Sequence, residues 1–153
     1  MASNATGELA PCHPGMYVID EDVRQRITTG DVFPVGYFIA VLDGEAAGSR
    51  AGFFTEIARE LAFPDYFGRN WDAVYDCLTD LNWLPAEGYV LVFDGFGALA
   101  RNAPDQWQIG RKVLAEACQF WQPLRTPMFV LLVGPDDLAP DVPALPESCL
   151  PRR

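Results

Sequence analysis

The run FPDYFGRNWDAVYDCLTDL, Phe63 to Leu81, decides how the rest of the chain is read. Pro64 blocks continuation of any preceding helix, and Gly68 supplies a residue free to take a left-handed turn. Asn70 is placed to cap a new helix by accepting from an orphan backbone N–H, with Asp72 in the first turn favoured by the helix dipole. At about 100° per residue, Trp71, Val74, Cys77, Leu78 and Leu81 share one face. Asp72, Asp76 and Asp80 line up on nearly the opposite face, with Tyr75 and Thr79 between them. Carboxylates at i, i+4 and i+8 repel, each adjacent pair costing about 0.2–0.5 kcal/mol, and the helix holds no Lys or Arg to offset them. A solvated surface tolerates such a stripe. Rimmed by Tyr66 and Tyr75, the stripe also has the composition of a surface built for a basic partner.

Around this run, strands and helices alternate. Met16 to Ile19 reads as a short strand, and Asp20 to Thr29 as a helix with Val23 and Ile27 inward and Gly30 as its stop. Gly36 to Leu42, Gly88 to Phe93 and Pro127 to Val133 are continuous apolar runs, as strands buried in a parallel sheet read. Phe53, Ile57 and Leu61 recur at helical spacing and stop before Pro64. Asn102 to Trp121 reads as one long helix with Ile109, Val113, Leu114, Ala117 and Phe120 or Trp121 inward, weakened at Gly110. The alternation predicts a layered α/β domain with a mainly parallel sheet and right-handed crossovers. Residues 1–14, small and polar, read as a flexible N-terminus. Residues 135–153, with five prolines and no helical or strand period, read as an extended Pro-rich tail.

At 153 residues the chain is one domain's worth, long enough for a real core. Eleven Lys and Arg against 21 Asp and Glu give a formal charge of −10. That balance disfavours nucleic acid and anionic membrane and favours fast encounter with a cationic protein. The four cysteines are far apart with no C-x-x-C pair, which argues against zinc and against a dense disulfide framework; Cys77 is expected as a small core residue. The single histidine, His13, adjoins Cys12, too small a ligand set for a metal, and its isolation removes most acid–base and nucleophile schemes. With neither a visible secretory signal nor an 18-residue apolar run, the chain is expected in the cytoplasm.

The segment PDYFGRNWDAVYDCLT resembles the barstar family, the intracellular inhibitors of barnase-type ribonucleases. The Pro, the aromatic pair, the Gly, the Asn, both acids, the Cys and the Leu-Thr stand at the family's spacing, and a weaker likeness extends over about residues 36–134. The resemblance implies a small barstar-like fold: a parallel three-stranded sheet packed by helices in a core at 36–134, to which residues 15–35 add an N-terminal strand and helix. It implies a binding protein with no catalytic residue, metal or cofactor. Such a protein would serve as the immunity or antitoxin partner of a basic ribonuclease or nuclease toxin, inserting an acidic helix and its preceding loop into a cationic active site. Nucleic acid, membrane and small-molecule substrate are not expected as partners. Carried over by position, Asp76 is the principal acid and Asp72 a second, while Tyr66 and Asn70 are contacts on the loop and helix start. Tyr75 stands where the family often has Trp, Asp80 replaces a Gly, and Arg69 replaces an acid. The family's acid on the last long helix falls near Gln119.

Rival readings use other residues. Asp43, Asp94 and the pair Asp136-Asp137 follow the three apolar runs, at the ends where ligands of open parallel sheets gather. Together they could hold Mg²⁺ for phosphate chemistry, although Asp-Gly also makes good turns and no Gly-rich phosphate loop accompanies them. Asp72 and Asp76 as a general acid and base would need environments that split their pKa values. Trp83, Trp107 or Trp121 could meet a second copy, and a barstar-like module could bind a target other than a nuclease.

Overall fold

Residues 13–30 and 32–150 are described in the computed structural model; most of the expected flexible N-terminus, including Cys12, lies outside them. Four strands form one parallel sheet: β1 (Met16–Ile19), β2 (Tyr37–Asp43), β3 (Gly88–Asp94) and β4 (Met128–Val133), in the spatial order β1-β4-β3-β2. Each apolar run of the sequence is thus a strand, and the first strand adds to the far edge. The central pair shows why these runs lack polar alternation. All of β4 is buried, and so is β3 up to Asp94, because helices or loops cover both faces.

The pleat divides the sheet residues between two cores. Ala40, Leu42, Leu91, Phe93, Val130 and Leu132 point to the larger one, where they meet α2 (Arg50–Glu60), α3 (Trp71–Leu78), α4 (Gly97–Asn102) and α5 (Pro104–Trp121). Val90, Val92, Phe129, Leu131 and Val133 point to the smaller one, sealed by Ile27 of α1 (Glu21–Thr28), by Val32 and Phe33, and by Cys149. α1, with Val32 and Phe33, therefore covers a sheet face that would otherwise expose a row of Val, Leu and Phe to water.

The C-terminal segment, expected as an extended tail, lies on the domain and includes two short 3-10 turns, Asp136–Leu138 and Glu147–Cys149. Val18 donates its N–H to the Pro143 carbonyl at 2.9 Å and accepts from Leu145 N–H at 3.0 Å, pairing the outer edge of β1. An edge with satisfied N–H and C=O groups no longer templates pairing with another chain. Arg111 and Asp141 add an ion pair at 2.6 Å. Cys149 is buried and disulfide-bonded, whereas Cys77 and Cys118 are free thiols. Burial pushes the Cys118 thiol up to about 12. Among the described residues no helix is long and apolar enough to cross a membrane.

Some expectations need correction. The helix expected over 102–121 is α5, which begins at Pro104; the separate short helix α4 ends at Asn102, and the chain breaks between them at Ala103 (φ −144°, ψ 70°). Pro104 causes the break: it lacks an N–H, disfavours α conformation in the residue before it, and suits the first position of a helix. The rotation of α5 also differs, with Trp107, Gly110, Leu114, Ala117 and Cys118 buried while Ile109 and Phe120 face solvent. Gly110 sets that rotation, because a Cβ there would lie 2.7 Å from Cη2 of Trp71.

In the central run, Asn70 caps α3 as expected, its Oδ1 accepting from Ala73 N–H at 2.8 Å. The left-handed position falls at Arg69 (φ 54°) and not at Gly68. The Arg69 guanidinium, donating to Ala51 O at 3.2 Å and Thr55 Oγ1 at 3.1 Å, ties this uncommon conformation to α2. α3 ends at Leu78, so Asp80 lies in the turn beyond the helix and not on its third carboxylate step.

Two substitutions test this account by urea unfolding. Gly110→Leu drives a side chain into the Trp71 ring and lowers stability by about 1–3 kcal/mol, although Leu is the better helix former; an unchanged midpoint would show that the ring yields freely. Asn70→Ala removes the cap and costs about 1 kcal/mol.

Candidate functional site

The underside of α3 is buried through Trp71, Val74, Cys77 and Leu78, which obliges the intervening residues to face outward. Asp72 and Asp76 are exposed, and Tyr75 is half-buried between them. These three side chains form one wall of a groove of about 240 Å³, and Val113 and Glu116 of α5 form the other.

Glu116 is the acid of α5 that lines this groove, three residues before Gln119, near which the family resemblance pointed. Gln119 turns to a separate cleft shared with Met16, Arg111 and Gln122 on the other side of the helix. The position near Gln119 came from the family's spacing and not from the phase of α5, which Trp107 and Gly110 set. Counting from Trp107 as the buried reference would have put Glu116 outward.

The groove is held by indole N–H groups at its two ends. Trp71 Nε1 donates to Gln106 Oε1 at 2.8 Å near the start of α3, and Trp121 Nε1 donates to the Leu78 carbonyl at 2.8 Å at its end. Trp71 also packs between Phe53 and Phe54, with ring centroids 5.1 and 4.9 Å away. The tryptophans offered as a surface for a second copy are thereby accounted for: Trp107 is buried, and Trp83 and Trp121 are half-buried with their N–H groups bonded inward.

Among the described residues, none of the ion pairs involves Asp72, Asp76, Asp80 or Glu116. The neighbouring cation, Arg69, is directed to α2. Tyr66 is 68 % exposed and its hydroxyl lies 3.4 Å from Asp80 Oδ2. Partial desolvation, then the charge of Asp80, raises the Tyr66 phenol above its ordinary value. Beneath the acids, desolvation first and the charges of Asp76 and Asp80 second push the Cys77 thiol up, which leaves it little thiolate for nucleophilic chemistry. Asn70 spends its carbonyl oxygen on the cap, leaving its exposed amide nitrogen near Gly68 O at 3.5 Å.

The strand-end aspartates are not gathered with this groove. Asp43 Oδ1 accepts from Glu45 N–H at 3.0 Å in a turn, and Asp94 lies 3.6 Å from Arg24. The backbone closes the space between them: Gly44 donates to Asp94 O at 2.7 Å, and a Cβ on Gly44 would lie 2.2 Å from Gly95 O. Asp136 opens a short 3-10 turn (Asp136–Leu138) on the surface. Among the described residues no group of three His, Cys, Asp or Glu side chains is placed to hold a metal ion.

The groove thus offers carboxylate acceptors on a rigid support, with the Tyr75 phenol between two of them and no nucleophile among its lining residues. Carboxylates of this kind receive guanidinium and ammonium groups in short charge-assisted bonds. Over residues 37–133 the sequence matches the family model described as barstar (barnase inhibitor), a family of inhibitors and not of enzymes. The match spans both the acidic helix and the sheet that supports it, and the chain belongs to the barstar family.

Proposed function

We propose that this chain inhibits a basic ribonuclease, as the immunity or antitoxin partner of a nuclease toxin, by seating α3 and the loop before it in the enzyme's cationic active site. One observation carries the reading: Asp72, Asp76 and Glu116 share a groove, and among the described residues none of them is in an ion pair. A ribonuclease cleft must present cationic groups to hold phosphate and to stabilise charge developing in the transition state. Carboxylates on a fixed helix occupy the positions of phosphate oxygens there, so substrate and inhibitor compete for the same donors.

Asp76 is the principal acid, with Asp72 on the same helix and Glu116 on the facing one as further carboxylates of the groove. Tyr66, Asn70, Tyr75 and Asp80 surround these acids as rim contacts, where aromatic groups exclude water from the central pairs. The formal charge of −10 accelerates encounter with a cationic enzyme and repels nucleic acid.

Inhibition of barnase-type ribonucleases, measured with a fluorogenic RNA, tests the reading. Asp76→Ala is expected to weaken inhibition by about 2 kcal/mol or more, the threshold of an interface hot spot, for which the barnase–barstar pair is itself a reference case. Its Tm should stay close to that of the unsubstituted chain, because the carboxylate is exposed. A large fall in Tm with undiminished inhibition would instead make Asp76 a structural residue.

A further inference from the structure

α5 turns an apolar row to solvent. Ile109 is 44 % exposed and Phe120 39 %. With Val113 and Glu116 they recur at steps of four, three and four residues, so all four lie in one arc of the helix. That arc adjoins the one that Trp107, Leu114, Ala117 and Cys118 bury: Val113 is half-buried against the larger core, and Ile109 and Phe120 stand clear of it. A surface helix with one apolar stripe in the core ordinarily turns polar residues to water on its other side.

The row is continuous with the acidic groove. Val113 and Glu116 are the α5 wall of that groove, so Ile109 stands one turn before the wall and Phe120 one turn after it. The Phe120 ring is also placed: it meets Trp121 edge-on at 5.4 Å and 89°, and Trp121 is bonded to the end of α3. Charge pairs left in water contribute little to binding and gain weight as water is excluded from around them. A second copy of this chain is a poor occupant, since it would bring an equally acidic groove against this one.

We infer that Ile109, Val113 and Phe120 form an apolar shoulder of the inhibitory surface, seated on an apolar patch that the nuclease carries beside its cationic cleft. This inference rests on the inhibitor reading and extends the interface beyond α3 along α5. It divides the work of the surface: the acids steer encounter and form the central charge pairs, and the shoulder prolongs the complex without affecting encounter.

Catalytically silenced barnase-type ribonucleases, immobilised as a panel, provide the probe, and the member that the unsubstituted chain holds longest is used for comparison. Ile109→Gln and Phe120→Gln keep good helix formers at exposed positions. Each is expected to dissociate about tenfold faster, with the loss undiminished at high salt and the association rate unchanged. Asp76→Ala should show the opposite pattern, its loss shrinking as salt rises. Unchanged dissociation of both Gln variants beside a weakened Asp76→Ala would overturn the shoulder and leave the inhibitor reading standing. A chain that holds no member of the panel would overturn both. Sedimentation showing a dimer that Phe120→Gln dissolves would overturn the shoulder in favour of self-association.

Discussion

Pinning of α3 to α5 by an indole N–H at each end is the constraint on which the functional surface depends. A helix of eight residues is marginal by itself, since nucleation is costly and few hydrogen bonds reward it. Its order comes from a buried underside and from Trp71 and Trp121, whose bonds to Gln106 and Leu78 bracket it. Gly110 is part of the same constraint, because only a residue without Cβ lets the Trp71 ring come so close to α5. Side chains projecting from an element held in this way lose little freedom on binding, which is the main route by which a preorganised surface gains affinity.

The electrostatics follow from where the chain spends its cations. Arg69, one residue before the cap, reaches back to Ala51 and Thr55. Arg59 pairs with buried Glu56 and with Glu60, and Arg111 with Asp141. Glu56 in turn accepts the Asp43 N–H at 2.9 Å, so one buried carboxylate ties α2 to the end of β2. These pairs serve the scaffold, and the groove acids are left to water. Repulsion among exposed carboxylates is modest in a high dielectric, so the fold tolerates them, while their summed field extends far enough to attract a cationic partner.

The N-terminal strand and helix, together with the C-terminal segment, solve a separate problem. A parallel sheet must be covered on both faces, and α2 to α5 all lie on one. α1 and the residues after it cover the other, and Pro143 to Leu145 pair the edge that β1 would expose. Among the described residues, neither addition lines the acidic groove.

The sequence by itself determined the parallel α/β layering, the cap at Asn70 and the inward and outward faces of α3. Each of these is a local property: continuous apolar runs, a side chain reaching three residues on, and a helical period within eight residues. The family's most specific motif lies in that same run, which is why Asp72 and Asp76 could be named from it. Tertiary structure alone decided the rotation of α5, the turn conformation of Arg69 and the membership of Glu116 in the groove, whereas the break at Ala103 is written locally in Pro104. The helical period of α5 admits several rotations, because Ile109, Val113 and Phe120 are as apolar as the residues that were buried. What selects among them is the fit of Trp71 against Gly110, a contact between residues 39 positions apart, and no local pattern records which of two greasy faces a distant ring will meet.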